Sequence, residues 1–129
     1  MTDPVFVFLA TVLELHDRAV SMFGGLPGLK DGGLLDSALA RPENLLAYSA
    51  PDTTDLFDLA TAYAFGISRN HAFHDGNKRT AWATAYLFLK ANGIAIDVPQ
   101  GDVVERMVEL ASGQIDEPAF AAWLRTLVG

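Results

Sequence analysis

The sequence predicts one compact all-α domain, a helical bundle over residues 1–129, and three observations carry this prediction. Apolar residues recur at intervals of three and four along most of the chain, which is the spacing of one helix face. Short turns rich in Gly, Pro and Asp separate these apolar runs. No two alternating apolar runs flank a hairpin turn, so nothing in the chain predicts paired strands.

The first helix is predicted from a capping signal. Thr11 and Glu14 have the form of a capping box, which indicates that a helix begins there and runs to about Phe23. The segment 24–28 ends it, because Gly and Pro at this density cannot continue a helix.

A short second helix is predicted from Leu34 to Arg41, where apolar residues share one face. Pro42 suits the first turn of a separate helix, since its missing N–H is not needed there.

Two long central helices are predicted over residues 54–69 and 77–90, both rich in apolar residues at helical spacing. Asn70 is expected to end the first of them in a left-handed conformation. Residues 94–98 form a brief extended segment. A helix follows around residues 103–111, and Asp116 caps the last one, which ends near Val128.

Composition and charge limit the function. A length of 129 residues suits a single domain, and the absence of cysteine excludes disulfides and thiolate metal sites. No apolar run approaches the roughly 18 residues of a membrane span, so the sequence predicts a cytoplasmic protein without a membrane partner. A net charge of −7 argues against direct nucleic-acid binding, which requires a basic surface.

The segment 71–79 joins the two long helices and is predicted to bind phosphate. The first backbone N–H groups of a helix are unpaired and its dipole is positive there, which favours an anion. Gly76 lets the backbone approach such a ligand. Lys78 and Arg79 fall in the first turn, where the dipole disfavours cations unless a polyanion lies in front of them.

The neighbouring side chains suit phosphoryl or nucleotidyl transfer. Asp75 can hold Mg²⁺ together with phosphate oxygens. His71 carries an imidazole, a group that can act as a general base, and the Asn77 amide can donate to a phosphate oxygen. Phe73 is expected to be a core anchor and His74 to face solvent, while the helical His16 is expected to pack or cap.

His-Ala-Phe-His-Asp-Gly-Asn-Lys-Arg-Thr, at residues 71–80, resembles the signature of the Fic/Doc superfamily, specifically its Doc (death-on-curing) branch. The wider Fic pattern is His-Pro-Phe-x-Asp/Glu-Gly-Asn-Gly-Arg-x-x-Arg. The likeness covers residues 11–98 and includes Leu-His-Asp at 15–17, Phe-Gly-Gly-Leu-Pro-Gly at 23–28, Asp-Leu-Phe at 55–57 and Phe-Leu-Lys-Ala-Asn-Gly at 88–93.

The resemblance implies the toxin of a type II toxin–antitoxin system that uses ATP and Mg²⁺. Its catalytic residues would be His71 as base, Asp75 as the metal ligand, Lys78 and Arg79. Nucleotide phosphates would be held by Gly76, Asn77, Lys78 and Arg79.

Two departures from the Fic pattern imply a protein kinase. Lys78 replaces the second glycine, and Trp82 stands where the second arginine would be. In Doc proteins such changes accompany an inverted nucleotide, so that the γ-phosphoryl passes to a Ser or Thr hydroxyl. The leading target is a threonine of elongation factor Tu, whose modification would halt translation.

Residues 24–31 resemble the flap that aligns a target beside the site, with Leu26, Leu29 and Lys30 as contact candidates; a plain surface loop is the alternative. The inhibitory motif Ser/Thr-x-x-x-Glu-Gly/Asn of many Fic proteins is absent from the sequence. Control is therefore expected from an antitoxin whose C-terminal segment folds onto the toxin.

Three alternatives stay open at this point. AMP transfer uses the same motif. A metal phosphohydrolase is suggested by His71, His74 and Asp75 with the remote pair His16-Asp17. An inactive relative that only binds an antitoxin is the third.

Overall fold

The computed structural model describes residues 3–128, and its helices confirm the all-α prediction. They are α1 (Leu9–Phe23), α2 (Gly32–Tyr48), α3 (Leu56–Asn70), α4 (Asn77–Ala91), α5 (Gln100–Ser112) and α6 (Glu117–Arg125). Over residues 3–128, extended pairing is limited to the isolated bridges Leu29–Phe73 and Ile96–Val128. No helix in this range is long and apolar enough to cross a membrane.

The two helices that flank the motif form the centre of the molecule. α3 packs against α2, α4, α5 and α6, and α1 packs against α4. Tyr63 of α3 and Phe88 of α4 are buried with their ring centroids 5.3 Å apart, and Phe6 stacks on Phe88. The turn between α3 and α4 is therefore held on a rigid support.

The predicted start of α1 at Thr11 is wrong, because the helix begins at Leu9. Phe8 is the N-cap and provides no side-chain cap, and the Thr11 N–H already donates to the Phe8 carbonyl. Tertiary contacts set this start: the Val7 N–H donates to the hydroxyl of buried Tyr63, 2.9 Å away. Burial raises the pKa of Tyr63 to about 12, so this hydroxyl stays protonated at physiological pH.

α2 is one continuous helix, and the predicted break between Arg41 and Pro42 is wrong. Pro42 lacks the N–H that would bond to the Ala38 carbonyl. Pro42 is buried, and α2 crosses α3 so closely that a Cβ on Gly66 would lie 3.2 Å from the Ala38 oxygen. This packing stabilises the helix across the proline. The helix also begins earlier than predicted, with Asp31 accepting from the Leu34 N–H as its cap.

The remaining elements follow the prediction more closely. The extended segment at 94–98 is confirmed, since Ile96 pairs with Val128 and the Asp97 N–H donates to the Leu127 carbonyl. Asp116 caps α6 through the Ala119 N–H as predicted. α6 ends at Arg125 and thus before the predicted limit near Val128.

The start of α3 is tied to the C-terminal helix by an ion pair that makes stability depend on pH. Partial burial acts to raise the pKa of Asp55, but hydrogen bonds from the Arg125 guanidinium and the Asp58 N–H outweigh it and hold that pKa below 3.8. Because the folded pKa is depressed, this stabilisation is present above about pH 4 and is lost as the pH falls through the folded pKa.

Replacing Arg125 by Gln is expected to remove part of this acid dependence. Chemical unfolding at pH 7 and at pH 3 gives the free energy of unfolding of the parent and the variant. The change in this free energy between the two pH values should be smaller in the variant. The Arg18→Gln variant is the control, because in the described part of the chain the ion-pair partner of Arg18 is the exposed Glu14. Equal pH dependence in the parent and Arg125→Gln would contradict the assignment.

Candidate active site

The turn between α3 and α4 reverses the chain through two left-handed residues. His71 is the C-cap of α3 with φ 51° and ψ 47°, and Gly76 is the N-cap of α4 with φ 76°. Asn70 stays helical, so the prediction that it takes the left-handed position is wrong by one residue. Histidine is among the non-glycine residues that visit this region more often than most, but at a cost of roughly 1–3 kcal/mol. The exposed imidazole of His71 thus stands on a strained backbone.

Replacing His71 by Gly is expected to raise the free energy of unfolding by about 1 kcal/mol, because glycine adopts φ 51° without a Cβ clash. The gain should appear as a higher midpoint in thermal or urea unfolding. His71→Ala keeps the strain and serves as the control. A glycine variant no more stable than the alanine variant would contradict this reading of the backbone.

Phe73 anchors the turn in the core, as predicted. It is buried, and its ring lies on that of His16 with centroids 3.8 Å apart and an interplanar angle of 10°. The Asn77 amide holds the backbone of Phe73 at both ends: its oxygen accepts from the Phe73 N–H at 3.1 Å and its nitrogen donates to the Phe73 carbonyl at 3.0 Å. One amide N–H remains for a ligand, so phosphate binding by Asn77 stays a prediction.

The start of α4 presents unpaired donors and exposed cations together. Within residues 3–128, no carbonyl or side chain accepts from the backbone N–H of Gly76, Asn77, Lys78 or Arg79. The side chains of Lys78 and Arg79 are exposed, and the Arg79 guanidinium lies 4.4 Å from the ring centroid of Phe23. An anion at this helix end would meet backbone donors, the positive end of the dipole and two charges.

Asp75 is exposed beside these donors, and its carboxylate oxygen Oδ2 accepts from the Leu26 N–H at 2.7 Å. Residues 3–128 contain no cluster of three or more acidic or histidine side chains that could hold a metal alone. A single carboxylate fits Mg²⁺ that completes its shell with phosphate oxygens and water. The chemistry of the residues is thus compatible with a nucleotide-dependent metal and does not favour a preformed metal centre.

The predicted flap is fastened to this turn by its backbone. The N–H groups of Lys30 and Asp31 both donate to the Ala72 carbonyl, and Leu29 forms an isolated antiparallel bridge with Phe73. The side chains of Leu26, Leu29 and Lys30 are exposed. Residues 24–31 therefore lie along the turn with three side chains free for contact, and target binding by these three stays a prediction.

A groove of about 630 Å³ opens beside the two cations, between α1, α4 and α5. Its lining is mostly apolar and includes Met22, Phe23, Trp82 and Val104. Lys78 and Arg79 line it where it meets the turn, so a ligand in the groove would lie next to the predicted phosphate site.

His16 and Phe23 contact the turn or its cations, and the sequence did not assign either to the phosphate site, although His16 was part of the phosphohydrolase alternative. The expectation that His16 packs is confirmed, but its contacts with the turn were not foreseen. For a place near the phosphate site, the sequence signal of His16 and Phe23 was that they belong to segments 15–17 and 23–28, which resemble Doc sequence.

Comparison with known proteins assigns the chain to a family. The model of the Fic/DOC family matches residues 6–89, which is more than half of the chain. The chain therefore belongs to the Fic/DOC family.

Its relatives narrow the class to Doc proteins, which confirms the predicted branch. "Protein kinase doc" of Escherichia phage P1 is 38% identical over 119 residues, covering 92% of this chain and 91% of that protein. "Toxin Doc" of Mycolicibacterium smegmatis is 42% identical over 104 residues, covering 79% of each chain. Together these relatives support a Doc-type toxin with protein kinase activity.

Proposed function

We propose that this Doc-type protein is a toxin that transfers the γ-phosphoryl of ATP to a Ser or Thr hydroxyl of a protein. The observation that carries the proposal is the short turn that joins α3 to α4. Together with the first residues of α4, it combines an exposed imidazole, an exposed carboxylate, unpaired backbone donors and two exposed cations. The leading acceptor is a threonine of elongation factor Tu, and its modification would halt translation.

The residues of the turn divide the work of the reaction. Backbone N–H groups at the start of α4, with Lys78 and Arg79, bind and orient the phosphates. His71 accepts the proton of the target hydroxyl while the oxygen of that hydroxyl bonds to the γ-phosphorus. The bond between the γ-phosphorus and the oxygen that bridges to the β-phosphate breaks, and ADP leaves. Asp75 would hold Mg²⁺, which supplies charge neutralisation on the phosphates when bound.

Lys78 and Trp82 favour γ-phosphoryl transfer over AMP transfer. Lys78 places a cation in the first helical turn of α4, at the position where Fic AMP-transferases have glycine. Trp82, one turn further along α4, packs with Trp123 at 5.8 Å between ring centroids, so the groove has an indole where those enzymes have a guanidinium. Because that guanidinium is missing, the distal phosphates would be bound by the cations at the start of α4, Lys78 and Arg79.

ATP labelled at the γ or the α position tests the proposal, with cell extract and purified elongation factor Tu as acceptors. Label from the γ position alone is expected on the protein, and label from the α position alone would establish AMP transfer instead. Lys78→Gly should lower γ-transfer while Lys78→Arg, which keeps the charge, should retain more of it. Equal γ-transfer in both variants would contradict the role of Lys78.

The partner proposed for control is an antitoxin whose C-terminal segment occupies the groove between α1, α4 and α5. Met22 and Phe23 support this, since 74% and 51% of their surfaces are exposed. An amphipathic segment with acidic residues would cover these side chains and meet Lys78 and Arg79. Purified toxin that is no more active than its antitoxin complex would contradict this control.

A further inference from the structure

The buried His16 of α1 makes one hydrogen bond to the turn that is proposed to bind phosphate. Its Nε2 lies 2.7 Å from the carbonyl oxygen of Asp75, 59 residues away in sequence. A carbonyl oxygen can only accept, so Nε2 must carry the proton and donate. The ring is 1% exposed and stacked on Phe73, which fixes the direction of this donor.

This hydrogen bond also sets the direction of the next backbone N–H. The peptide between Asp75 and Gly76 is trans, like every peptide bond of the described chain. In a trans peptide the C=O and the N–H point in opposite directions. Because the Asp75 carbonyl points at His16, the Gly76 N–H points away from His16 and from the core beneath the turn. It stays unpaired within residues 3–128.

The backbone at this point has the form of an anion-binding nest. Gly76 is left-handed at φ 76° and Asn77 begins a right-handed helix, and successive N–H groups in such a pair converge on one side. The other tethers of the turn act elsewhere: Asn77 holds the backbone of Phe73, and Leu26 holds the carboxylate of Asp75. In the described chain, only His16 bonds to the Asp75 carbonyl.

We propose that His16 is a positioning residue that orients the peptide between Asp75 and Gly76, so that the Gly76 N–H donates to a nucleotide phosphate. The inference rests on the proposed function, because it concerns the same phosphate site. Without the donor, the peptide is free to rotate and the nest loses its first N–H group.

Two variants separate this role from packing. His16→Gln keeps an N–H donor at about the reach of Nε2, whereas His16→Met has an unbranched side chain of similar length without a donor. Both lose the ring stacked on Phe73. If His16 only packs, Met should perform as well as Gln or better, since the site is buried and apolar. If His16 positions the peptide, Gln should outperform Met.

The kinetic readout is γ-label transfer at varied ATP concentration. His16→Met is expected to lower kcat/KM for ATP by about 10²-fold, the order of loss that follows a misplaced donor. The kcat/KM for ATP of His16→Gln is expected to be about tenfold or more above that of His16→Met. Thermal unfolding of both variants checks that the difference is not one of folded fraction. Transfer by Met equal to or above that by Gln would overturn the inference.

A second readout needs no turnover and separates this inference from the proposed function. In ¹H–¹⁵N spectra, the Gly76 amide peak of the parent and of His16→Gln should shift when ATP with Mg²⁺ is added, and that of His16→Met should not. A parent that transfers no label but shows this pattern would refute the kinase and leave the positioning role standing. The positioning role would be overturned if the Gly76 peak of the parent did not shift on addition of ATP, or if it shifted equally in the His16→Met variant.

Discussion

Replacing His71 by alanine is expected to lower γ-phosphoryl transfer by about 10²–10⁴-fold, the contribution of a well-placed general base. The imidazole is exposed at the end of α3, and alanine would remove it while leaving Phe73 and its clamp in the core. The loss should appear as lower kcat with the KM for ATP largely unchanged, because the residues proposed to bind the phosphates are other than His71. Growth arrest on expression should disappear with it.

The matched control for this prediction is His74→Ala, three residues further along the same turn. His74 is also exposed, and the described part of the chain offers it no hydrogen bond. Its variant should arrest growth and transfer phosphoryl like the parent. Unchanged arrest in His71→Ala would contradict the mechanism, and equal losses in both variants would show that the turn tolerates no change rather than that His71 is a base.

Replacing Asp75 by asparagine is expected to lower transfer by about 10²-fold or more, because the charge that would hold Mg²⁺ is removed. Asparagine keeps a side-chain oxygen that can accept from the Leu26 N–H, so the flap should stay in place. The remaining activity should need more Mg²⁺ than that of the parent, as measured by the rate at increasing MgCl₂ concentration.

Two further variants make the Asp75 experiment specific. Asp75→Ala removes both the charge and the flap contact, and should lose more activity against a protein acceptor than Asp75→Asn. Asp17→Asn removes one charge from exposed α1 surface and should leave transfer unchanged. An Asp75→Asn variant with parental rate and parental Mg²⁺ dependence would show that Asp75 is not the metal ligand.

The fold around the candidate site could be predicted because the residues proposed for its chemistry lie in one stretch of chain. The spacing of apolar residues on either side of 71–76 predicts two helices, and the turn between them must carry the end of one and the start of the next. Local rules failed where tertiary packing decides. The sequence near Thr11 looks like a helix start, but contacts of residues 5–7 with Tyr63 and Asn92 let the helix begin earlier.

The contacts that hold the turn from outside could not be predicted. The bond from His16 to Asp75 spans 59 residues, and the bond from Leu26 to the same residue spans 49. No periodic pattern in one sequence records which side chain of α1 meets which carbonyl of the turn. The strained backbone of His71 was also missed by one residue, since asparagine is the better left-handed residue by propensity and the fold overrides it.

In the described chain, the hydrogen bonds from the flap to the turn between α3 and α4 come from main-chain donors, and this separates two kinds of variation. Leu26, Lys30 and Asp31 each use the backbone N–H, which every residue except proline possesses. Side chains at Leu26 and Lys30 can therefore be exchanged without removing these hydrogen bonds, whereas Asp31 must also keep the side-chain oxygen that caps α2. On the proposed role of the flap in target contact, substitutions of Leu26 or Lys30 would change which polypeptide is recognised and leave the proposed phosphate site unchanged.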